Sequence, residues 1–194
     1  MEPRVIEARF RYEPLTAQHD RNAFVCGDAA LDTYFRQMAM QHQRNRISAV
    51  FVQVDTTDGA VNGFYTLASH RIDATALVSA GGRGLPKNGL LPATSLGRLA
   101  IRTGGQQRGS GTDLLTDAVI SAYTAVQVGS VAVVAEMKTP DLIRFYGKLG
   151  FVAIPESDTR VILPMTTIAA LLNLPSTAML HAEPTDETDR KGKV

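Results

Sequence analysis

The sequence predicts a single α/β domain, and three observations carry that reading. Residues 95–115, SLGRLAIRTGGQQRGSGTDLL, place an apolar strand, a glycine-rich turn and a helix in direct succession. Apolar, β-branched runs bounded by turn residues recur on either side of it, at residues 48–54, 61–72 and 131–135. The 194 residues, 44% of them hydrophobic, are also enough for one substantial core.

In chain order, residues 1–25 read as an irregular lead-in with one short strand near residues 10–15. In FVCGDAALDTYFRQMAMQHQRNR, Asp28 is placed to cap a helix, and Leu31, Phe35, Met38 and His42 recur at helical spacing. That stripe is predicted to face the core, with His42 at its end either on the surface or touching a substrate. SAVFVQV (48–54) is a buried strand, Thr57-Asp58-Gly59 a hairpin turn, and VNGFYTLASHRI (61–72) its partner. Gly63 within the partner marks a bulge or a close backbone approach. Residues 74–79 suit a short helix, and LPKNGLLP (85–92), bracketed by two prolines, is predicted as a loop beside a binding cleft.

In the central stretch, Leu96, Leu99 and Ile101 mark the strand, and Gly104, Gly105, Gly109 and Gly111 make the turn. Leu114, Leu115, Ala118 and Val119 open a helix predicted to end near Val128-Gly129. Such a turn gathers backbone N–H groups at the positive end of a helix, where a phosphate or pyrophosphate can sit. The same glycines would also serve an ordinary tight turn. Residues 131–135 follow as a buried strand. Thr139-Pro140-Asp141 then starts a helix, with Thr139 as N-cap; it runs through Leu142, Ile143, Phe145 and Tyr146 to Gly150. Residues 151–154 and 160–163 form the last strand pair, and 168–172 a short helix. From Pro175 the composition turns to Pro, Thr, Glu, Asp and Lys, so the domain is placed at residues 1–174 with a mobile tail at 175–194.

Cys26 is the single cysteine, which excludes an internal disulfide framework and disfavours a cysteine-built zinc site. The start of the chain lacks the apolar core of a signal peptide and no run reaches membrane-spanning length, so a cytoplasmic protein is expected. A net charge of +1 hides an uneven distribution. Arg36, His42, Arg44 and Arg46 come with no acid between them, and Arg71, Arg83, Lys87, Arg98 and Arg102 are set against Asp73 alone. These are either solvated charges or a basic face for a polyanion.

QQRGSG (106–111) and, one helix and one strand later, FYGKLGF (145–151) together resemble the GNAT acyltransferase family. The family pattern Gln/Arg-x-x-Gly-x-Gly/Ala is filled by Gln106, Gly109 and Gly111, and its later tyrosine followed by Gly-Phe by Tyr146 and Gly150-Phe151. FVCGDAALDTYFRQMAMQHQRN, the hairpin carrying GFYTLAS, and LGRLAI before the turn are similar to the GNAT toxins of bacterial toxin–antitoxin pairs, over most of residues 10–165. The resemblance implies a mixed, mostly antiparallel sheet flanked by helices, its central strands splayed at an acetyl-CoA cleft. It implies an N-acetyltransferase that uses acetyl-CoA, needs no metal, and acetylates the α-amine of aminoacyl-tRNA, so blocking translation. It also implies a small DNA-binding antitoxin as partner, and a homodimer. Residues 164–194 depart from the pattern by running past the family's usual end.

On that likeness, Gln106, Gln107, Arg108, Gly109, Ser110, Gly111 and Thr112 hold the CoA pyrophosphate, while Leu99, Ala100 and Ile101 offer backbone groups to the thioester arm. Tyr146 becomes the general acid for the leaving thiolate; read alone, it would serve equally as an amphipathic core residue. A phenol with a pKa near ~10 stays protonated at neutral pH. An α-amine near ~8 is partly neutral at pH 7, whereas a lysine near ~10.4 would need a dedicated base. Glu136 is either that base, acting through water, or a surface carboxylate. Arg36, Arg44, Arg46, Arg83 and Lys87 are the candidates for the tRNA, and Arg71, Arg98 and Arg102 extend the set. Arg98, inside the central strand, is alternatively structural. Two other functions fit: acetylation of a small amine or protein amine, and a catalytically silent acyl-CoA-binding module.

Overall fold

The computed structural model describes residues 9–82, 84–105, 109–125, 129–155 and 157–173. Among them, β1 (Phe10–Pro14), β2 (Ala49–Asp55), β3 (Val61–Asp73), β4 (Leu90–Ile101), β5 (Ala132–Glu136), β6 (Val152–Ala153) and β7 (Arg160–Pro164) form one sheet. Its order is β1-β2-β3-β4-β5-β7-β6. Every pairing is antiparallel except that of β4 with β5. The expected mixed, mostly antiparallel sheet is therefore observed.

Side-chain alternation along the strands feeds a core on each face. Tyr65, Leu67 and Leu96 point to one face, where they pack with Leu114 and Leu115 of α4 (Ser110–Thr124). Tyr146 of α5 (Ile143–Gly147) and Ile168 of α6 (Met165–Leu171) join the same cluster. Val50, Val52, Phe64 and Ala100 point to the other face, beneath Tyr34, Phe35 and Ala39. The short α3 (Ala74–Ser79), capped by the Asp73 carboxylate, brings Leu77 against Ile72, Ala93 and Ile162 on that second face.

The helical run after Asp28 differs from its sequence pattern. Asp28 caps it as expected, accepting from the N–H groups of Ala30 and Leu31. Between α1 (Ala29–Thr33) and α2 (Ala39–Arg44), however, residues Tyr34–Met38 form a π-helix. The wider turn puts residues five apart on one face, so Tyr34 and Ala39 are buried while Met38 is 43% exposed. Simple helical spacing had placed Met38 in the core.

Other boundaries shift as well. Residues 90–92 belong to β4 and not to the preceding loop, because Asp73 extends the ladder to Leu90. Helix α4 ends at Thr124, short of Val128, and residues 126–128 lie outside those described. Thr139 occupies an N-cap position but makes no side-chain capping bond, and the helix opens as a 3-10 turn over Pro140–Leu142. Its α part stops at Gly147, and Gly150, at φ +86°, turns the chain into Phe151. The segments 1–8 and 174–194, with the proposed tail from Pro175, are outside the described residues.

The feature that positions the site is a fork. β4 pairs with β5 only through Thr94↔Val133, Ser95↔Val134 and Leu96↔Ala135, then continues against β3 alone to Ile101. Gly97 has no partner between Leu67↔Leu96 and Thr66↔Arg98, so a bulge falls where the strands part and adds twist there. Past the fork, both strand ends are tied to one segment. Thr103 donates its N–H to the Val25 carbonyl at 2.7 Å, and the Lys138 ammonium pairs with the Asp28 carboxylate.

Candidate active site

Leu99, Ala100 and Ile101 lie past the fork with no β5 partner. Leu99 and Ile101 pack toward α4, and Ala100 lies on the opposite face. The turn that follows is built on close approach. A Cβ on Gly105 would lie 2.0 Å from Asn62 Oδ1 and 2.7 Å from Arg102 Cγ. Gly104 and Gly109 hold φ values of +81° and +106°, in the left-handed region that only glycine adopts freely. Gly109 is the N-cap of α4 and offers no side-chain acceptor, so it leaves the N–H groups of Ser110, Gly111 and Thr112 uncapped at the positive helix end. Those three donors and the glycine cradle suit a phosphate group. Gln106, Gln107 and Arg108 are outside the described residues.

Beneath this turn lies a polar network that sequence reasoning missed. Asn62 is the extra residue at the β2–β3 register shift and donates from Nδ2 to Gln53 Oε1 at 2.5 Å. Gln53 in turn donates from Nε2 to the Tyr12 hydroxyl at 2.8 Å. Both amides are buried. The only signal in the sequence was Gly63 beside Asn62, where a Cβ would meet Ile101 Cδ1 at 2.6 Å and the Ala100 carbonyl at 2.9 Å. Helix α4 is pinned further along: the Tyr65 hydroxyl donates to Asp117 Oδ2 at 2.7 Å and lies 2.8 Å from Ser121 Oγ. Burial pushes the Asp117 carboxyl up.

Tyr146 sits 7% exposed in the cluster that also holds Leu96, Ala135 and Met137, the residues flanking the fork. Its ring makes edge-on contacts with Phe145 and Phe151 at 5.2 and 5.4 Å. Phe145 lies against Gly111, where a Cβ would be 3.4 Å from Phe145 Cε2. The tyrosine helix and the glycine turn are therefore neighbours, as the two sequence motifs required. No hydrogen bond to the phenol is present among the described residues, and burial raises its pKa. The group stays protonated through neutral pH and is free to donate. Glu136 is exposed and is the first β5 residue past the last β4 pair.

The basic candidates divide. Arg36, in the π-helix, is half-buried, and Arg44 and Arg46 are exposed at the end of the same helical run. Lys87 is exposed in the loop before β4, whose first residue, Leu90, is roughly 20 Å along the strand from Leu96 at the usual rise per residue. Arg83 is outside the described residues. Arg102 is engaged by Asp58 and Asp55 at 3.4 and 3.9 Å and acts as a brace of the turn. A cavity of about 550 Å³ lies between the C-terminal end of α4 and the start of β2, with Arg46, Ile47, Phe51, Leu67, Thr94 and Ala122 in its wall. No His, Cys, Asp and Glu grouping suited to a metal occurs among the described residues.

The sheet order, the parallel pair that parts at Leu96–Ala135 and the glycine turn into α4 define the fold of the GNAT acyltransferases. No family model matches the chain. A probable toxin TacT of Sinorhizobium fredii (strain NBRC 101917 / NGR234) is 31% identical over 169 residues, 82% of this chain and 93% of the relative. A tRNA-acetylating toxin of Mycobacterium tuberculosis (strain ATCC 25618 / H37Rv) is 31% identical over 157 residues, 79% of this chain and 90% of the relative. The chain belongs to this family of acetyltransferase toxins. Among solved structures, AtaT complexed with acetyl-methionyl-tRNAfMet matches with a TM-score of 0.75 at 27% identity, over 84% of this chain and 99% of AtaT. A tyrosine-to-phenylalanine AtaT mutant bound to the C-terminus of the antitoxin AtaR and acetyl-CoA matches with a TM-score of 0.70 at 26% identity, over 85% and 99% of the two chains.

Proposed function

We propose that the protein transfers the acetyl group of acetyl-CoA to the α-amine of an aminoacyl-tRNA and so blocks translation. In this reading it works in the cytoplasm as a homodimer, and a small DNA-binding antitoxin silences it. No helix among the described residues is long and apolar enough to cross a membrane. The observation that carries the reading is the Tyr146 phenol, without a hydrogen-bond partner among the described residues and packed with the residues that flank the fork.

The N–H groups of Ser110, Gly111 and Thr112, with Gln106, Gln107, Arg108 and Gly109, would hold the CoA pyrophosphate at the start of α4. Leu99, Ala100 and Ile101 would present unpaired backbone groups to the thioester. The neutral amine forms the new C–N bond as the C–S bond breaks, and positioning supplies much of the rate. Tyr146 gives its proton to the departing sulfur, and the proton lost by the attacking nitrogen leaves through water, with Glu136 just past the fork as a carboxylate route. Phosphate contacts from Arg36, Arg44, Arg46, Arg83 and Lys87 would supply affinity without sequence information.

Mass measurement of charged tRNA incubated with enzyme and acetyl-CoA tests this directly. A gain of one acetyl group on the amino acid is expected; acetylation of polyamines or antibiotics with untouched aminoacyl-tRNA would overturn the reading. The pH profile is a second check. Below the α-amine pKa of about 8, kcat/KM is expected to rise about tenfold per pH unit, because only the neutral amine attacks. No descending limb is expected through about pH 9, because burial raises the phenol above its ordinary value of about 10. A fall between pH 7 and 9 would remove Tyr146 from the role.

A further inference from the structure

Arg98 is the strand residue that follows the Gly97 bulge, directly before the three residues that meet the thioester in the proposed reaction. The bulge turns its side chain away from α4 and onto the face covered by the helical run. There its guanidinium carbon lies 3.8 Å from the centroid of the Tyr34 ring. The ring is fixed in its turn: Tyr34 is 4% exposed, its hydroxyl is 3.4 Å from Ser48 Oγ, and His42 packs edge-on to it at 5.3 Å. The π-helix turn is what brings Tyr34 inward to this position.

Arg98 is held by a ring and not by an acid. Arg9 and Arg102 reach Asp55, Arg11 reaches Glu13 and Lys138 reaches Asp28. Among the described residues, no carboxylate and no hydrogen-bond acceptor meets the guanidinium of Arg98. Stacking on an aromatic face occupies the plane of the group and leaves its N–H edges free in a fixed direction. Such an edge matches two oxygens of one phosphate. Gly97 beside it is exposed, so this side of the fork is open.

An aminoacyl ester has no free carboxylate, so the anions nearest its reacting amine are the phosphates of the terminal nucleotides. We propose that Arg98, held by Tyr34, binds the phosphate that precedes the terminal nucleoside of the acceptor and thereby sets the amine over the fork. This rests on the aminoacyl-tRNA reading above and adds to it a residue that selects for a nucleic-acid-borne amine. Arg36 and Arg44 lie on the helical run that supplies Tyr34, Arg46 lies just past its end, and the three would extend the same phosphate track.

The test compares aminoacyl-tRNA with an aminoacylated adenosine that carries no phosphate. For Arg98→Met, kcat/KM on aminoacyl-tRNA is expected to fall about tenfold or more, the scale of a lost charge-assisted hydrogen bond, chiefly through KM. Turnover of the aminoacyl-adenosine and calorimetric binding of acetyl-CoA are expected to stay at wild-type levels. The slope of log kcat/KM against log salt is expected to drop by about 0.7 to 1, one phosphate's share. Arg98→Lys serves if the methionine variant does not fold: it keeps the salt slope and loses several-fold only on aminoacyl-tRNA, because it lacks the planar fork. Equal losses on both substrates, or an unchanged slope in Arg98→Met, would overturn the inference alone. Wild-type enzyme that acetylates neither substrate would overturn the functional reading and this inference together.

Discussion

Tyr146→Phe is expected to lose acetyl transfer by roughly 10²- to 10⁴-fold in kcat while acetyl-CoA still binds. The substitution removes one oxygen and little else. The ring keeps its edge-on contacts with Phe145 and Phe151, and the hydroxyl has no hydrogen-bond partner among the described residues whose loss would strain the core. Taking away an unpartnered buried hydroxyl is close to neutral for stability, so the melting temperature should barely move. Thiol release measures kcat, and calorimetry with acetyl-CoA measures the site. In cells, expression of the wild type without an antitoxin should arrest growth, and the variant should not. A variant within a few-fold of wild-type kcat would leave the thiolate to be protonated by solvent and would remove the phenol from the mechanism.

Gly105→Ala is expected to weaken acetyl-CoA binding by at least about tenfold, with some loss of stability, on the scale of about 1–3 kcal/mol for overpacking. Its Cβ would lie 2.0 Å from Asn62 Oδ1, and Asn62 cannot swing away without giving up Gln53. The other neighbour, Arg102, is held by Asp55 and Asp58. The turn itself must therefore move, and with it the line of N–H groups at the start of α4. Gly111→Ala is the internal control: a Cβ there meets Phe145 at 3.4 Å, an ordinary van der Waals contact. Calorimetry on both variants checks the pair. Equal affinities for Gly105→Ala and wild type would mean that the network under the turn does not shape the proposed phosphate site.

How much of this was legible in the residues themselves can be judged element by element. The strand–turn–helix at residues 95–115 was readable because its chemistry is local: apolar alternation, glycines where φ turns positive, then an amphipathic run. Asp28 as a cap and Asp58-Gly59 as a hairpin turn were readable for the same reason. The outward turn of Met38 was not, because a π-helix breaks helical periodicity without any special residue type. Nor was the extension of β4 back to Leu90, which rests on pairing with Asp73 across the sheet.

By itself, the sequence determined that a glycine turn joins a strand to a helix, where the phenol sits relative to it along the chain, and which strands flank them. Only the tertiary structure decided that β4 parts from β5 after Leu96, that Asn62 lies under Gly105, and that Arg98 rests on Tyr34 while Arg102 is tied to two aspartates. The physical reason is range. Backbone preference and hydrophobic period act over a few neighbouring residues, whereas a strand's partner, a buried amide's acceptor and a cation's counter-charge come from segments far away in sequence, which only the closed sheet brings together.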